Sequence, residues 1–141
     1  MSSPAGPLSV FIVENHPDTA KYLKAYLVQL GHNVQLAVDM ESALKELAAT
    51  KADFLLSDIG LPDGDGWTLM ERLPEESRPL FAVAMSGFGM NADRTKSLRV
   101  GFRNHLLKPF MPEDLDDLLQ QAAREKEMRQ SPSESPAPAT A

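Results

Sequence analysis

The sequence predicts an α/β fold in which a parallel sheet lies between two layers of helices. Three observations carry this. Short apolar runs alternate five times with stretches whose apolar residues recur at helical spacing. The runs are continuous rather than alternating, which implies strands buried on both faces and hence a parallel sheet. The chain has 141 residues, 43% of them hydrophobic. That suits one domain with a full core, since domains run to about 100–200 residues.

The elements follow in order. Residues 8–13 form the first strand, followed by polar residues and Pro17. Ala20, Leu23, Leu27 and Leu30 then share one helical face, and Gly31 ends that helix. Residues 34–38 form the second strand. Asp39 N-caps a helix carrying Ala43, Leu44, Leu47 and Ala48. Residues 54–56 form the third strand, and Asp65 caps a short helix that begins near Trp67 and stops before Pro74. Residues 80–85 form the fourth strand, apolar throughout. Residues 91–100 form a polar helix, and residues 102–107 the fifth strand. Pro112 suits the first turn of the last helix, with Glu113 and Asp114 near the positive end of its dipole. Leu115, Leu118, Leu119 and Ala122 mark its buried face.

Both ends differ from this pattern. Residues 1–7 are small, polar or proline and are expected to be disordered. The folded unit is expected over residues 8–128. The tail 129–141 ends in SPSESPAPATA, which has nothing large to bury against its ordering entropy and is also expected to be disordered. Composition removes whole classes of chemistry. The absence of cysteine excludes disulfides and thiol catalysis. Three scattered histidines (His16, His32, His105) argue against a histidine zinc site. A net charge of −6 argues against a nucleic-acid surface. No apolar run spans a membrane and no secretory signal is evident, so a cytoplasmic location is expected.

In such sheets ligands bind beyond the carboxyl ends of the strands. Four of those ends carry Glu14-Asn15, Ser57-Asp58, Ser86-Gly87 and Lys108-Pro109. Two carboxylates, a hydroxyl and a lysine would converge on one rim. Close carboxylates invite a hard divalent cation, and oxygen ligands with open positions suit Mg²⁺. Lysine and serine supply donors for phosphate oxygens. An aspartate beside a metal can attack a phosphoryl group and form an acyl phosphate. The chemistry points to phosphoryl transfer onto an aspartate.

The stretches VFIVENHPDT (10–19), LLSDIGLPDGDGW (55–67), AMSG (84–87) and HLLKPF (105–110) resemble, in order and spacing, the receiver domains of bacterial two-component response regulators. The resemblance covers about residues 8–124. It implies a flavodoxin-like (βα)5 three-layer sandwich with sheet order 2-1-3-4-5. It also implies that Asp58 accepts the phosphoryl group. Mg²⁺ would sit at Glu14, Asn15, Asp58 and the Gly60 carbonyl, and Ser86 and Lys108 would grip the phosphoryl oxygens. Ser86 and His105 would form the switch, with His105 filling space that opens as Ser86 moves. The Lys108–Pro109 peptide is expected to be cis. A histidine kinase or histidine phosphotransfer protein would be the donor. A downstream protein would dock on the face formed by the fourth helix, fifth strand and fifth helix. The resemblance implies a signalling domain rather than an enzyme, as a monomer or a phosphorylation-dependent dimer. With only a helix end and the tail after the receiver, no DNA-binding domain is expected there, and output is expected through protein contacts or onward transfer to a histidine.

Two positions depart from the family pattern. Asn15 stands where a second carboxylate is usual, and its neutral amide should weaken Mg²⁺ binding. His105 replaces the usual Tyr or Phe, and a histidine titrates near neutrality, about 6.5. The rival reading is a phosphorylation-independent pseudo-receiver with a decayed metal site at Asn15; Asp58, Ser86 and Lys108 speak against it. An aspartate-nucleophile phosphatase needs a carboxylate where Gly60 stands. His16 and His32 are read as turn and loop residues without chemistry, and Met85, Met90 and Met111 as packing or helix-start residues. The run 61–66 is read as a structural turn, with Gly64 and Gly66 serving backbone angles. Asp116, Asp117, Arg124, Glu125 and Lys126 are read as a solvated face.

Overall fold

The computed structural model describes residues 7–87 and 93–130. Five strands form one sheet: β1 (Ser9–Val13), β2 (Asn33–Ala37), β3 (Phe54–Asp58), β4 (Phe81–Ser86) and β5 (Asn104–Leu107). Their order is β2-β1-β3-β4-β5, every neighbouring pair parallel. This is the 2-1-3-4-5 order that the resemblance implied. Helices α1 (Pro17–Gln29), α2 (Met40–Ala49), α3 (Gly66–Arg72), α4 (Arg94–Val100) and α5 (Asp116–Gln130) connect and cover it.

Alternate strand residues feed two cores, as the pleat requires. Phe11, Val13, Leu55, Ala82 and Ala84 pack with Ala43 and Leu47 of α2, Leu69 and Met70 of α3 and Val100 of α4. Val10, Ile12, Phe54, Leu56, Phe81, Val83 and Met85 pack with Leu23 and Leu27 of α1 and Leu118, Leu119 and Ala122 of α5. The rings of Phe54 and Phe81 stack at 5.7 Å. The central strands β3 and β4 are buried along their whole length, whereas edge strands β2 and β5 alternate with exposed residues. Continuous apolarity therefore holds only where helices cover both faces.

The predicted signals act locally as physical chemistry requires. Asp39 accepts from the Ser42 amide at 2.8 Å and Asp65 from the Thr68 amide at 2.7 Å, each capping its helix. Gly31, at φ 98°, takes the left-handed conformation that reverses the chain after α1. Pro112 opens a single 3₁₀ turn, Pro112–Leu115, and α5 follows from Asp116.

Several expectations need correction. Leu30 and Val38 lie outside the buried stripe, half exposed, because each sits just past the end of its element. Ala48 is exposed, being roughly 100° round the helix from buried Leu47. The outer face of α5 is not simply solvated. Tyr26 Oη donates to Asp116 Oδ1 at 2.5 Å, Arg103 pairs with Glu125, and Lys126 Nζ reaches Asp53 Oδ2 at 3.0 Å. His32 also has a task, its Nδ1 accepting from the Leu8 amide at 3.0 Å. The predicted helix start at Asn91, the packing role of Met90 and most of both predicted disordered ends fall outside the described residues. Among the described residues, no helix is long and apolar enough to cross a membrane.

Candidate functional site

The parallel register sets the site. Val13 lies beside Ser57, Asp58 beside Met85, and Ser86 beside Leu107. Glu14, Asp58, Ser86 and Lys108 consequently share one rim of the sheet. Lys108 is fixed there by its own backbone, its amide donating to the Ser86 carbonyl at 2.8 Å. The Lys108–Pro109 peptide is cis. Lys108 Nζ donates to Glu14 Oε1 at 2.6 Å and lies 2.8 Å from Asp58 Oδ1. One ammonium thus ties together the ends of three strands.

The turn after β3 holds Asp58 in place. The Ile59 amide donates to the Met85 carbonyl and the Gly66 amide to the Ile59 carbonyl, both at 2.8 Å. Between them Gly60–Leu61 pairs antiparallel with Gly64–Asp65. A Cβ on Gly66 would come within 2.6 Å of the Asp58 carbonyl oxygen, and one on Gly64 within 2.7 Å of the Met40 side chain. Neither glycine has a positive φ. Both serve close approach, which corrects the expectation of a backbone-angle role. Asp63 accepts from the amides of Met40 and Glu41 at 2.7 and 3.0 Å. The acids of this run are occupied as helix caps, in line with the structural-turn reading.

The electrostatics are those of two buried carboxylates with one cation between them. Burial, and then the adjacent Glu14, push the Asp58 carboxyl up to about 7, with Lys108 opposing. Burial also pushes Glu14 upward. Hydrogen bonds from Asp58, Lys108 and His16 outweigh it and hold Glu14 below its ordinary value. Burial works against the Lys108 ammonium, but Asp58 and Glu14 raise it above the usual lysine range. The pair therefore divides its protons unequally, with Glu14 the anion and Asp58 the group that protonates more readily.

The remaining predicted residues fall as follows. Asn15 is exposed beside Glu14, and Gly60 is exposed two residues past Asp58. Ser86 is buried at the end of β4, its Oγ 2.9 Å from His105 Nε2. His105 is itself buried, so the ring already occupies the interior next to Ser86. His16 is a correction. Its amide donates to Glu14 Oε2 at 3.1 Å, and its Nδ1 lies 2.8 Å from the same oxygen. Its spacing of two from Glu14 was the available signal. Glu14, His16 and Asp58 offer ligand atoms all within 4.8 Å of one another. Two carboxylates against one ammonium leave an excess of negative charge, so the hard oxygen donors fit a divalent ion such as Mg²⁺.

Comparison with known proteins gives the family. A sequence model described as the response regulator receiver domain matches residues 10–120. This chain belongs to the response regulator receiver family. The receiver is 33% identical over 116 residues to the "Uncharacterized 14.6 kDa protein in sodA1 3'region" of Leptolyngbya boryana, covering 81% of this chain and 88% of that protein. It is 34% identical over 105 residues to the transcriptional activator protein IrlR of Burkholderia pseudomallei. That match covers 73% of this chain and 44% of IrlR, so the receiver spans less than half of that relative. Among solved structures, the receiver domain of the Pseudomonas aeruginosa PAO1 sensor histidine kinase PA1611 superposes with a TM-score of 0.74 at 27% identity. The match covers 84% of this receiver and 99% of that chain, and the PA1611 domain holds a magnesium ion in its active-site cleft.

Proposed function

We propose that this receiver takes a phosphoryl group onto Asp58 from a histidine kinase or histidine phosphotransfer protein and thereby changes a protein-docking surface. The observation that carries the reading is Lys108 Nζ bridging Asp58 Oδ1 and Glu14 Oε1 at 2.8 and 2.6 Å. A carboxylate oxygen of Asp58 attacks phosphorus. The new O–P bond replaces the N–P bond of phosphohistidine, and the leaving imidazole takes up a proton. With acetyl phosphate the bond broken is O–P and acetate leaves. Glu14, Asp58, the Gly60 carbonyl and Asn15 would hold Mg²⁺, with His16 adjacent. The ion supplies charge neutralisation to the transferring group. Lys108 supplies a second positive charge, already tied to both acids. Burial of the acceptor strengthens each of these attractions. The Ser86 hydroxyl is the donor for a phosphoryl oxygen. Ser86 and His105 together would pass the change to the face of α4, β5 and α5, where a downstream protein docks.

Incubation with acetyl phosphate and Mg²⁺, followed by intact-mass measurement, tests the reading. A gain of one phosphoryl group that vanishes in Asp58→Asn supports it. The absence of any gain at every Mg²⁺ concentration would overturn it in favour of a phosphorylation-independent interaction module, for which the neutral, exposed Asn15 is the favouring observation.

A further inference from the structure

A second polar assembly lies behind the carboxylates and joins four elements. His105 Nε2 on β5 lies 2.9 Å from Ser86 Oγ on β4. His105 Nδ1 lies 3.4 Å from Ser97 Oγ on α4. Trp67 Nε1 on α3 donates to Ser97 Oγ at 2.9 Å. Ser86, Ser97 and His105 are all buried, at 1%, 2% and 8% exposure. Burial first, and the charge of Arg94 second, keep the His105 ring below the ordinary histidine range. The ring is therefore neutral near pH 7, with one N–H and one bare nitrogen.

The bonding rules of these groups leave two directions. Indole N–H only donates, and a hydroxyl has one proton and two lone pairs. Trp67 thus always fills one lone pair of Ser97. In one direction Ser86 donates to His105 Nε2, and His105 Nδ1–H donates to the second lone pair of Ser97. In the other, the Ser97 hydroxyl donates to His105 Nδ1, and His105 Nε2–H donates to Ser86. Only the second leaves the Ser86 proton available to a group outside the chain.

We infer that a phosphoryl group on Asp58, an acceptor without protons, fixes the chain in the second direction, so that His105 and Ser97 act as positioning residues for the Ser86 hydroxyl. The inference rests on Asp58 being the phosphoryl acceptor. The ring's single proton moves to Nε2 by exchange with water, so charge and proton count are unchanged. His105 then reports the phosphoryl group by its tautomer rather than by swinging inward, since the ring is inward already. Ser97 carries the change to α4, and the Trp67 bond ties it to α3.

The test uses the full chain labelled with ¹⁵N-histidine, Mg²⁺ and beryllofluoride as the phosphoryl analogue. Fluorine NMR reads binding, and long-range ¹H–¹⁵N correlation reads the His105 tautomer. The expected result is a bound state with Nε2 protonated and Nδ1 bare, at a higher fraction than in the unbound protein. Bound beryllofluoride with Nδ1 protonated, or with the tautomer ratio unmoved, overturns the inference and leaves the acceptor reading standing. Failure of beryllofluoride to bind sinks both. Ser97→Ala should weaken beryllofluoride binding about 2- to 10-fold, the worth of one hydrogen bond. Ser97→Thr, which keeps the hydroxyl, should restore it. Equal binding by wild type and Ser97→Ala would also overturn the inference.

Discussion

Replacing Asp58 by asparagine should stabilise the folded chain at pH 8 and leave it nearly unchanged at pH 4. In the folded state the Asp58 carboxyl titrates at about 7, against 3.8 for an unhindered aspartate. Between those values the native state binds a proton that the unfolded chain has lost. The contribution of Asp58 to stability therefore falls as pH rises from about 4 and levels off above about 7. Each unit is worth about 1.4 kcal/mol, so three units set an upper bound of about 4 kcal/mol. Asp58 and Glu14 share their protons as a coupled pair, so the expected change lies below that bound, ~1–3 kcal/mol. Asparagine has no charge to bury and keeps the shape, so the variant should gain that amount at pH 8. Urea unfolding in the presence of EDTA, at pH steps from 4 to 8, reads the difference directly. A gain of the same size at both extremes, or a loss at pH 8, would refute the picture of Asp58 as a carboxylate held against its solvation.

Asn15→Asp restores a negative charge beside Glu14 and should tighten Mg²⁺ binding about 10-fold, ~1.4 kcal/mol, by titration calorimetry. An unchanged affinity would place position 15 outside the ion's reach. Gly66→Ala sets a methyl against the Asp58 carbonyl oxygen at 2.6 Å, where the obstacle is backbone. It should cost ~1–3 kcal/mol in urea and lower the phosphoryl gain by displacing the acceptor. Asp39→Ala removes the 2.8 Å cap on Ser42 and should cost about 1 kcal/mol without changing phosphorylation.

The location of the site could be read from the chain alone because it depends on short-range patterns. Asp58 follows a run of apolar residues that can only be a covered strand, and Asp39 and Asp65 stand where an N-cap must. Once five such units are parallel, the residues at their carboxyl ends share a rim whatever the details of packing. Glu14, Asp58, Ser86 and Lys108 are legible for that reason. The role of His16 was less so, because a spacing of two says nothing of which way a ring turns outside a regular element.

Other features were decided only by the tertiary structure. Trp67 and Ser97 are 30 residues apart, Ser86 and His105 are 19 apart, and no periodicity links them. Gly66 is needed because another backbone runs beside it, not because of its own φ. The raised Asp58 carboxyl comes from burial and from a neighbour 44 positions earlier in the chain. By itself, then, the sequence determined which elements form, their parallel arrangement and the rim on which the acids, hydroxyl and lysine meet. Packing determined which of those groups touch, how their charges are shared and which buried polar atoms pair behind them. The first set rests on bonding along a few residues, and the second on distances across the core that exist only after the layers close.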